Sequence, residues 1–198
     1  MAGGDSADRP PAVDAGLVVL RHWAPYLVTA STIFAFTAVI GAAIGTERDS
    51  PLLPAASGTN PYAGLGALEL FVHNGRLSLF LIGGAMLFGL PTAYLLLLNG
   101  YVFGAALVQY GETYGPLETI AMIGPHGIVE IPALLLAGAI SFRWCHAGWR
   151  TASGTERSTT APLFLLESVG AIVLVLLALA VAAVIEATVS ASIGAALT

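Results

Sequence analysis

The sequence predicts an all-α protein that crosses a membrane several times. Hydrophobic residues make up 57% of the 198 residues and charged residues only 10%, and the mean hydropathy is +0.84. This composition excludes an ordinary soluble enzyme. Uncharged stretches at 22–46, 77–111 and 168–185 approach or exceed the roughly 20 apolar residues that a spanning helix needs. We predict a polytopic helical bundle of about five transmembrane spans, with broken or re-entrant segments near 99–127.

The first spanning helix is predicted at residues 23–45. Arg21 precedes it and places its start in the cytoplasm by the positive-inside rule. Residues 1–16 are rich in Gly, Pro, Ala and Asp and predict a mobile cytoplasmic tail. Residues 46–66 contain three prolines and a short run of charges, which indicates an external loop.

The second apolar segment is too long for one span. Its 35 uncharged residues at 77–111 would form a helix of about 52 Å, whereas the hydrocarbon core is about 30 Å thick. The chain must therefore bend or turn within it. We predict a kink at Gly89-Leu90-Pro91, because proline removes a backbone donor, and a turn at the dipeptide Asn99-Gly100.

The segment after Asn99-Gly100 predicts a broken or re-entrant helix. Only about ten apolar residues precede the polar run at 111–116, and Gly124-Pro125-His126-Gly127 interrupts the next apolar stretch. A spanning helix follows at residues 128–147. Irregular backbone survives at membrane depth only where protein or a water-lined cavity satisfies it, so we expect the interior of the protein near residues 99–130.

The last span is predicted at residues 161–187. Arg143, Arg150 and Arg157 place residues 143–160 in the cytoplasm, which leaves the C-terminus outside. The predicted location is the cell membrane, with a multi-pass chain whose N-terminus is cytoplasmic. The predicted divisions are a tail at 1–16, one transmembrane domain at 17–190 and a C-terminal tail at 191–198.

The charge of the chain and its lack of catalytic motifs exclude several classes of function. Seven basic residues, twelve acidic residues and a net charge of −5, without a basic cluster, exclude nucleic acid as a partner. The single Cys145 forms no intrachain disulfide. The sequence has no H-E-x-x-H, G-x-S-x-G or C-x-x-C motif. We therefore predict a protein that is not an enzyme, with no catalytic residue, no metal site and no cofactor.

Two pairs of ionisable residues lie in the apolar segments. Glu69 and His73 are four residues apart, as are His126 and Glu130, so each pair shares one face if its segment is helical. The four side chains could converge as a metal site or a proton relay. The alternative, which we favour, is structural pairing between helices. The positive end of a helix starting after Pro125 could also bind an anion, but a tight turn explains the same residues.

Three motifs resemble the stage II sporulation protein M family. They are Phe71-Val72-His73-Asn74-Gly75-Arg76, Leu98-Asn99-Gly100-Tyr101-Val102-Phe103-Gly104 and Gly124-Pro125-His126-Gly127-Ile128-Val129-Glu130-Ile131-Pro132-Ala133. The resemblance covers about residues 20–187. It puts forward as signature residues Asn74, Asn99, Gly100, Pro125, His126, Gly127, Glu130 and Pro132. Where members of this family often have two consecutive asparagines, this chain has His73-Asn74.

The resemblance implies a multi-spanning membrane protein of bacteria or archaea. The protein after which the family is named belongs to an engulfment complex with peptidoglycan-degrading partners and is not itself a hydrolase. We therefore expect a non-enzymatic membrane component or scaffold of an envelope complex, with the lipid bilayer and other membrane proteins as partners. Self-association as a homodimer is a further hypothesis. The alternative function is a small transporter or channel, with a solute, ion or proton path around Asn99, His126 and Glu130.

Overall fold

The computed structural model describes residues 11–44, 65–155 and 161–193, and within these ranges all regular structure is helical. There are five long helices, each long and apolar enough to cross a membrane. They are α1 Pro11–Ile44, α2 Ala67–Gly83, α3 Leu90–Tyr114, α4 Pro116–Ala152 and α5 Ala161–Ile185. A short 3-10 helix, Gly84–Leu87, follows α2, and a π-helix, Glu186–Ser190, follows α5.

The helices alternate in direction, as successive membrane spans do. Fully buried Thr92 of α3 and Ser141 of α4 share a hydrogen bond of 2.6 Å between their hydroxyls, and Thr92 also donates to the carbonyl of Leu81 in α2 at 2.7 Å. These bonds tie α2, α3 and α4 together. Leu96, Ile140 and Leu179, which are also fully buried, bring α3, α4 and α5 into the same core.

Helices α1 and α3 point in the same direction, and their backbones approach closely where the two helices cross. A Cβ atom on Gly100 or Gly104 of α3 would overlap the carbonyl oxygens of Phe34 or Ala38 in α1, and one on Gly41 would overlap that of Tyr101. Only glycine fits at these three positions. Small residues permit such close packing in membranes, where van der Waals contact is a main source of helix association.

The predicted turn at Asn99-Gly100 and kink at Gly89-Leu90-Pro91 are both wrong. The chain turns at Phe88 and Gly89, whose φ angles are 57° and 75°. Pro91 lies in the first turn of α3, where a backbone N–H has no partner within the helix, so the missing N–H of proline costs no helical hydrogen bond. Residues 99 and 100 lie inside α3 because Asn99 donates to the carbonyl of Leu95 at 2.7 Å and Gly100 serves the helix crossing.

The segment near 99–127 has one break where we expected several. That break is Gly115, with φ 99°, between α3 and α4. The predicted interruption at Gly124-Pro125-His126-Gly127 is wrong, since α4 continues through it and through Pro132. Prolines are tolerated in spanning helices because local adjustments satisfy the backbone groups that they leave unpaired. The five spans are confirmed, without a re-entrant hairpin among the described residues.

Residues 1–10 and 194–198 of the predicted tails lie outside the described residues. Helix α1 begins at Pro11, inside the predicted tail of residues 1–16, and helical structure continues through residue 193, past the predicted domain end at 190. Of the predicted external loop at 46–66, the structure describes only residues 65 and 66.

The Glu69 side chain accepts a hydrogen bond of 2.9 Å from the backbone of Gly66 and so caps α2.

Candidate functional site

Ionisable side chains of α4 and of the π-helix that follows α5 meet in the first half of α4. The possible ligand atoms of His126, Glu130 and Glu186 all lie within 4.8 Å of one another. Nδ1 of His126 is also 2.9 Å from Oγ of Ser190. All four residues are half-buried. We call this group the carboxylate cluster.

Helix geometry explains why these four residues face each other. His126 and Glu130 are one helical turn apart on α4, and therefore share a face. Glu186 and Ser190 are the first and last residues of the π-helix that follows α5. Single π-helical turns inside α-helices occur frequently at functional sites.

Two prolines flank the α4 half of the carboxylate cluster. Pro125 and Pro132 stand on either side of His126 and Glu130 in an otherwise continuous helix. Proline has no N–H, so each removes the usual hydrogen bond to the carbonyl four residues earlier. The cluster therefore lies on a stretch of α4 whose backbone ladder is interrupted twice.

Apart from its own histidine, the carboxylate cluster has no basic side chain in a salt bridge with its carboxylates, within the part of the chain that the structure describes. The salt bridge found there joins Arg143 to Glu167, and involves neither Glu130 nor Glu186. Both carboxyl groups lie on helices long and apolar enough to span a membrane. Ionisable groups in such segments are costly and mark functional sites, pathways or partners.

A second polar group lies between α4 and α5, toward the opposite end of α4. Arg143 donates to Glu167, and its guanidinium lies 4.4 Å from the ring centre of Trp23 and 4.5 Å from that of Phe164. Arg143 is only 9% exposed. These four residues, which we call the arginine cluster, combine an ion pair with cation–π contacts.

The structure brings together only part of the predicted site. His126 and Glu130 meet, but Glu69 and His73 lie on the exposed side of α2, in a shallow groove of about 430 Å³ that Arg76 also lines. The group of possible ligand atoms found on the described residues includes neither Glu69 nor His73. The other predicted residues serve packing or lie within a helix: Asn74 is buried in α2, Asn99 and Gly100 are in α3, and Pro125, Gly127 and Pro132 are in α4.

Sequence reasoning missed Glu186, Arg143 and Glu167 as members of polar clusters. Glu186 and Glu167 flank the last apolar run, where a carboxylate is expected to reach the membrane interface. One signal was present, because the four-residue spacing of Glu186 and Ser190 repeats that of His126 and Glu130. Only the antiparallel packing of α4 on α5 shows that the two pairs meet.

Five apolar helices with polar groups between them define a multi-pass helical membrane protein. Residues 27–191 match the model of the family described as Stage II sporulation protein M. The match covers most of the chain, which therefore belongs to this family, as its motifs predicted.

Comparison with curated proteins gives one archaeal relative. An uncharacterized protein of Methanocaldococcus jannaschii is 33% identical over 76 residues, which is 38% of this chain and 43% of the relative. The aligned region thus spans less than half of that protein. No solved structure matches the chain.

Proposed function

We propose that this protein is a non-enzymatic membrane component that scaffolds a complex of the cell envelope, with its N-terminus in the cytoplasm and its C-terminus outside. The observation that carries the proposal is a polar and exposed face on α2, within a helix of spanning length. Membership of the family supports a membrane component. The scaffold role is inferred from the surface.

The exposed face of α2 combines charged and apolar side chains. Glu69, His73 and Arg76 are exposed beside Leu68, which is 73% exposed, and Val72. Polar side chains on spanning helices tend to be placed against other helices or water, because contact with hydrocarbon is costly. A helix from another membrane protein, with complementary charge and polar groups, would cover this face.

The positions of several family-motif residues support an architectural role for the motifs. Asn99 bonds within its own helix, Gly100 permits the crossing of α1 and α3, and Asn74 is buried in α2. These residues hold the bundle that presents the face of α2. No observation on the described residues places Asn99 in a cavity with His126 and Glu130, so the transporter alternative gains no specific support.

Site-specific photocrosslinking in the native host membrane tests the proposal. A photoreactive amino acid replaces Leu68 on the exposed face of α2. The matched control replaces Leu177, which is 61% exposed on α5. We expect a discrete protein adduct from position 68 and none from position 177.

Charge removal distinguishes a specific contact from random proximity. With the crosslinker at position 68, Arg76→Ala should reduce the adduct severalfold, while Arg150→Ala, on an exposed part of α4, should not. Mass spectrometry of the adduct tells another membrane protein from a second copy of the chain. Equal crosslinking from positions 68 and 177, or insensitivity to Arg76→Ala, would contradict the proposal.

A further inference from the structure

We propose that the carboxylate cluster binds a divalent first-row transition-metal ion, with His126, Glu130 and Glu186 as ligands and Ser190 orienting the histidine. The site would join the first half of α4 to the π-helix that follows α5. This inference is independent of the scaffold proposal, because the cluster and the exposed face of α2 are formed by different residues.

The spacing of the three side chains suits one ion. Zinc is bound at about 2.0–2.2 Å by imidazole nitrogen and carboxylate oxygen, so two ligands of one ion lie at most about 4.4 Å apart. The atoms of the cluster lie within 4.8 Å of one another. Tetrahedral ligands of one zinc ion lie about 3.4 Å apart, so the two glutamate side chains would have to rotate toward His126 for all three donors to bind one ion.

The hydrogen bond to Ser190 prepares the histidine for this role. When the Nδ1–H of His126 donates a hydrogen bond to Oγ of Ser190, 2.9 Å from Nδ1, Nε2 carries the lone pair that a cation needs. Ligating histidines almost always donate their other ring N–H to a neighbouring acceptor, which fixes the tautomer and the ring orientation. Ser190 supplies that acceptor from the opposite helix.

The charge of the cluster favours a cation. Two carboxylates within 4.8 Å of each other repel when both are ionised, and no arginine of the described ranges is paired with either. A divalent ion would neutralise both charges. One imidazole with two carboxylates is a donor set suited to zinc, manganese or iron(II), whereas copper(I) prefers sulfur ligands.

Metal analysis of the full-length protein, purified in lipid nanodiscs, tests the site. The protein is stripped with a chelator, then titrated with zinc and separately with manganese, and the bound metal is measured by elemental analysis. We expect saturable binding of one ion per chain to the wild-type protein. Two protonated carboxyl groups that need no metal would instead give no saturable binding, which would overturn the proposal.

Variants locate the binding. Glu186→Gln and Glu130→Gln should each weaken zinc binding at least tenfold. Glu112→Gln, which removes one negative charge from an exposed position at the end of α3, should bind zinc as the wild type does. Wild-type affinity in both cluster variants would also overturn the proposal.

Thermal unfolding of the wild type and of Glu112→Gln gives a second test, which does not depend on whether the two cluster variants fold. Zinc should raise the unfolding temperature of the wild type and of Glu112→Gln by several degrees, because a ligand that binds only the native state stabilises it. An unchanged wild-type unfolding temperature at zinc concentrations that saturate binding would place the ion outside the folded cluster and contradict the assignment.

Discussion

The carboxylate cluster and the arginine cluster lie along the same pair of helices, yet they differ in charge balance. In the arginine cluster, Arg143 is paired with Glu167 and stacked on two aromatic rings. In the carboxylate cluster, Glu130 and Glu186 are close together, with His126 and Ser190 beside them. The first cluster contains its own arginine counter-charge, whereas no arginine of the described residues forms a salt bridge with either carboxylate of the second.

This difference separates a structural role from a binding role. A buried ion pair is costly to disrupt, because removal of one partner leaves the other charged and desolvated. Two like charges without a basic partner are instead a local source of instability, which natural sequences tolerate mainly at functional sites. The two clusters therefore predict opposite responses to the loss of a carboxylate.

The largest expected effect is at the arginine cluster. Glu167→Ala leaves Arg143, which is 9% exposed, without its counter-charge. We expect the free energy of unfolding to fall by about 3–5 kcal/mol, as for other broken buried pairs. Equilibrium unfolding of the metal-free protein in mixed micelles measures the loss.

A double variant is the control for that loss. Arg143→Met with Glu167→Met removes both charges and retains much of the side-chain volume, so most of the stability should return. If Glu167→Ala alone costs less than about 1 kcal/mol, the ion pair behaves as an exposed one and the contrast between the clusters fails.

The second prediction is a gain in the free energy of unfolding rather than a loss. In metal-free protein, Glu186→Gln removes one of two neighbouring carboxyl groups, and we expect the protein to become more stable by up to about 1 kcal/mol, the repulsion between two full charges at about this separation in water. The measurement is again equilibrium unfolding, after treatment with a chelator. Destabilisation of the metal-free protein by a similar amount would show that Glu186 already has a stabilising partner.

The third prediction concerns a neutral hydrogen bond beside the arginine cluster. The indole N–H of Trp144 donates to Oγ of Ser168 at 3.0 Å, and Trp144→Phe removes this donor while retaining an aromatic ring. Ser168 still donates to the carbonyl of Phe164 at 2.7 Å, so its hydroxyl is not left unsatisfied. We expect a loss of about 1 kcal/mol, measured by thermal unfolding against Trp149→Phe, whose tryptophan is 70% exposed.

The number of spans could be predicted because membrane thickness sets helix length. The excess length of residues 77–111 required a turn, but turn chemistry placed it wrongly at Asn99-Gly100. In water this dipeptide favours a turn, whereas here Asn99 satisfies its own helix and Gly100 serves a helix crossing. That glycine role depends on α1, which is distant in sequence, so local propensity does not reveal it.

The site could be predicted only to the extent that it is local. The spacing of His126 and Glu130 indicated one half of the carboxylate cluster, because both residues are on one helical face. The other half comes from Glu186 and Ser190, which meet α4 only after α5 packs on it. The partnership of Arg143 with Glu167 also depends on that packing.

The smallest expected change in stability is that of Ser190→Ala, which tests whether Ser190 orients His126 for metal binding or only stabilises the helix packing. Ser190→Ala removes the hydrogen bond to Nδ1 of His126 and keeps the backbone, so metal-free stability should fall by only about 0.5–1 kcal/mol. Loss of a residue that orients a metal ligand typically weakens binding by about 10- to 100-fold, so zinc affinity should fall much more than stability does. Ser192→Ala, whose exposed hydroxyl donates to the carbonyl of Val189, is the matched control and should change neither quantity appreciably. Equal zinc affinity in the two serine variants would mean that His126 is oriented without Ser190, and would restrict the carboxylate cluster to the three ligand side chains.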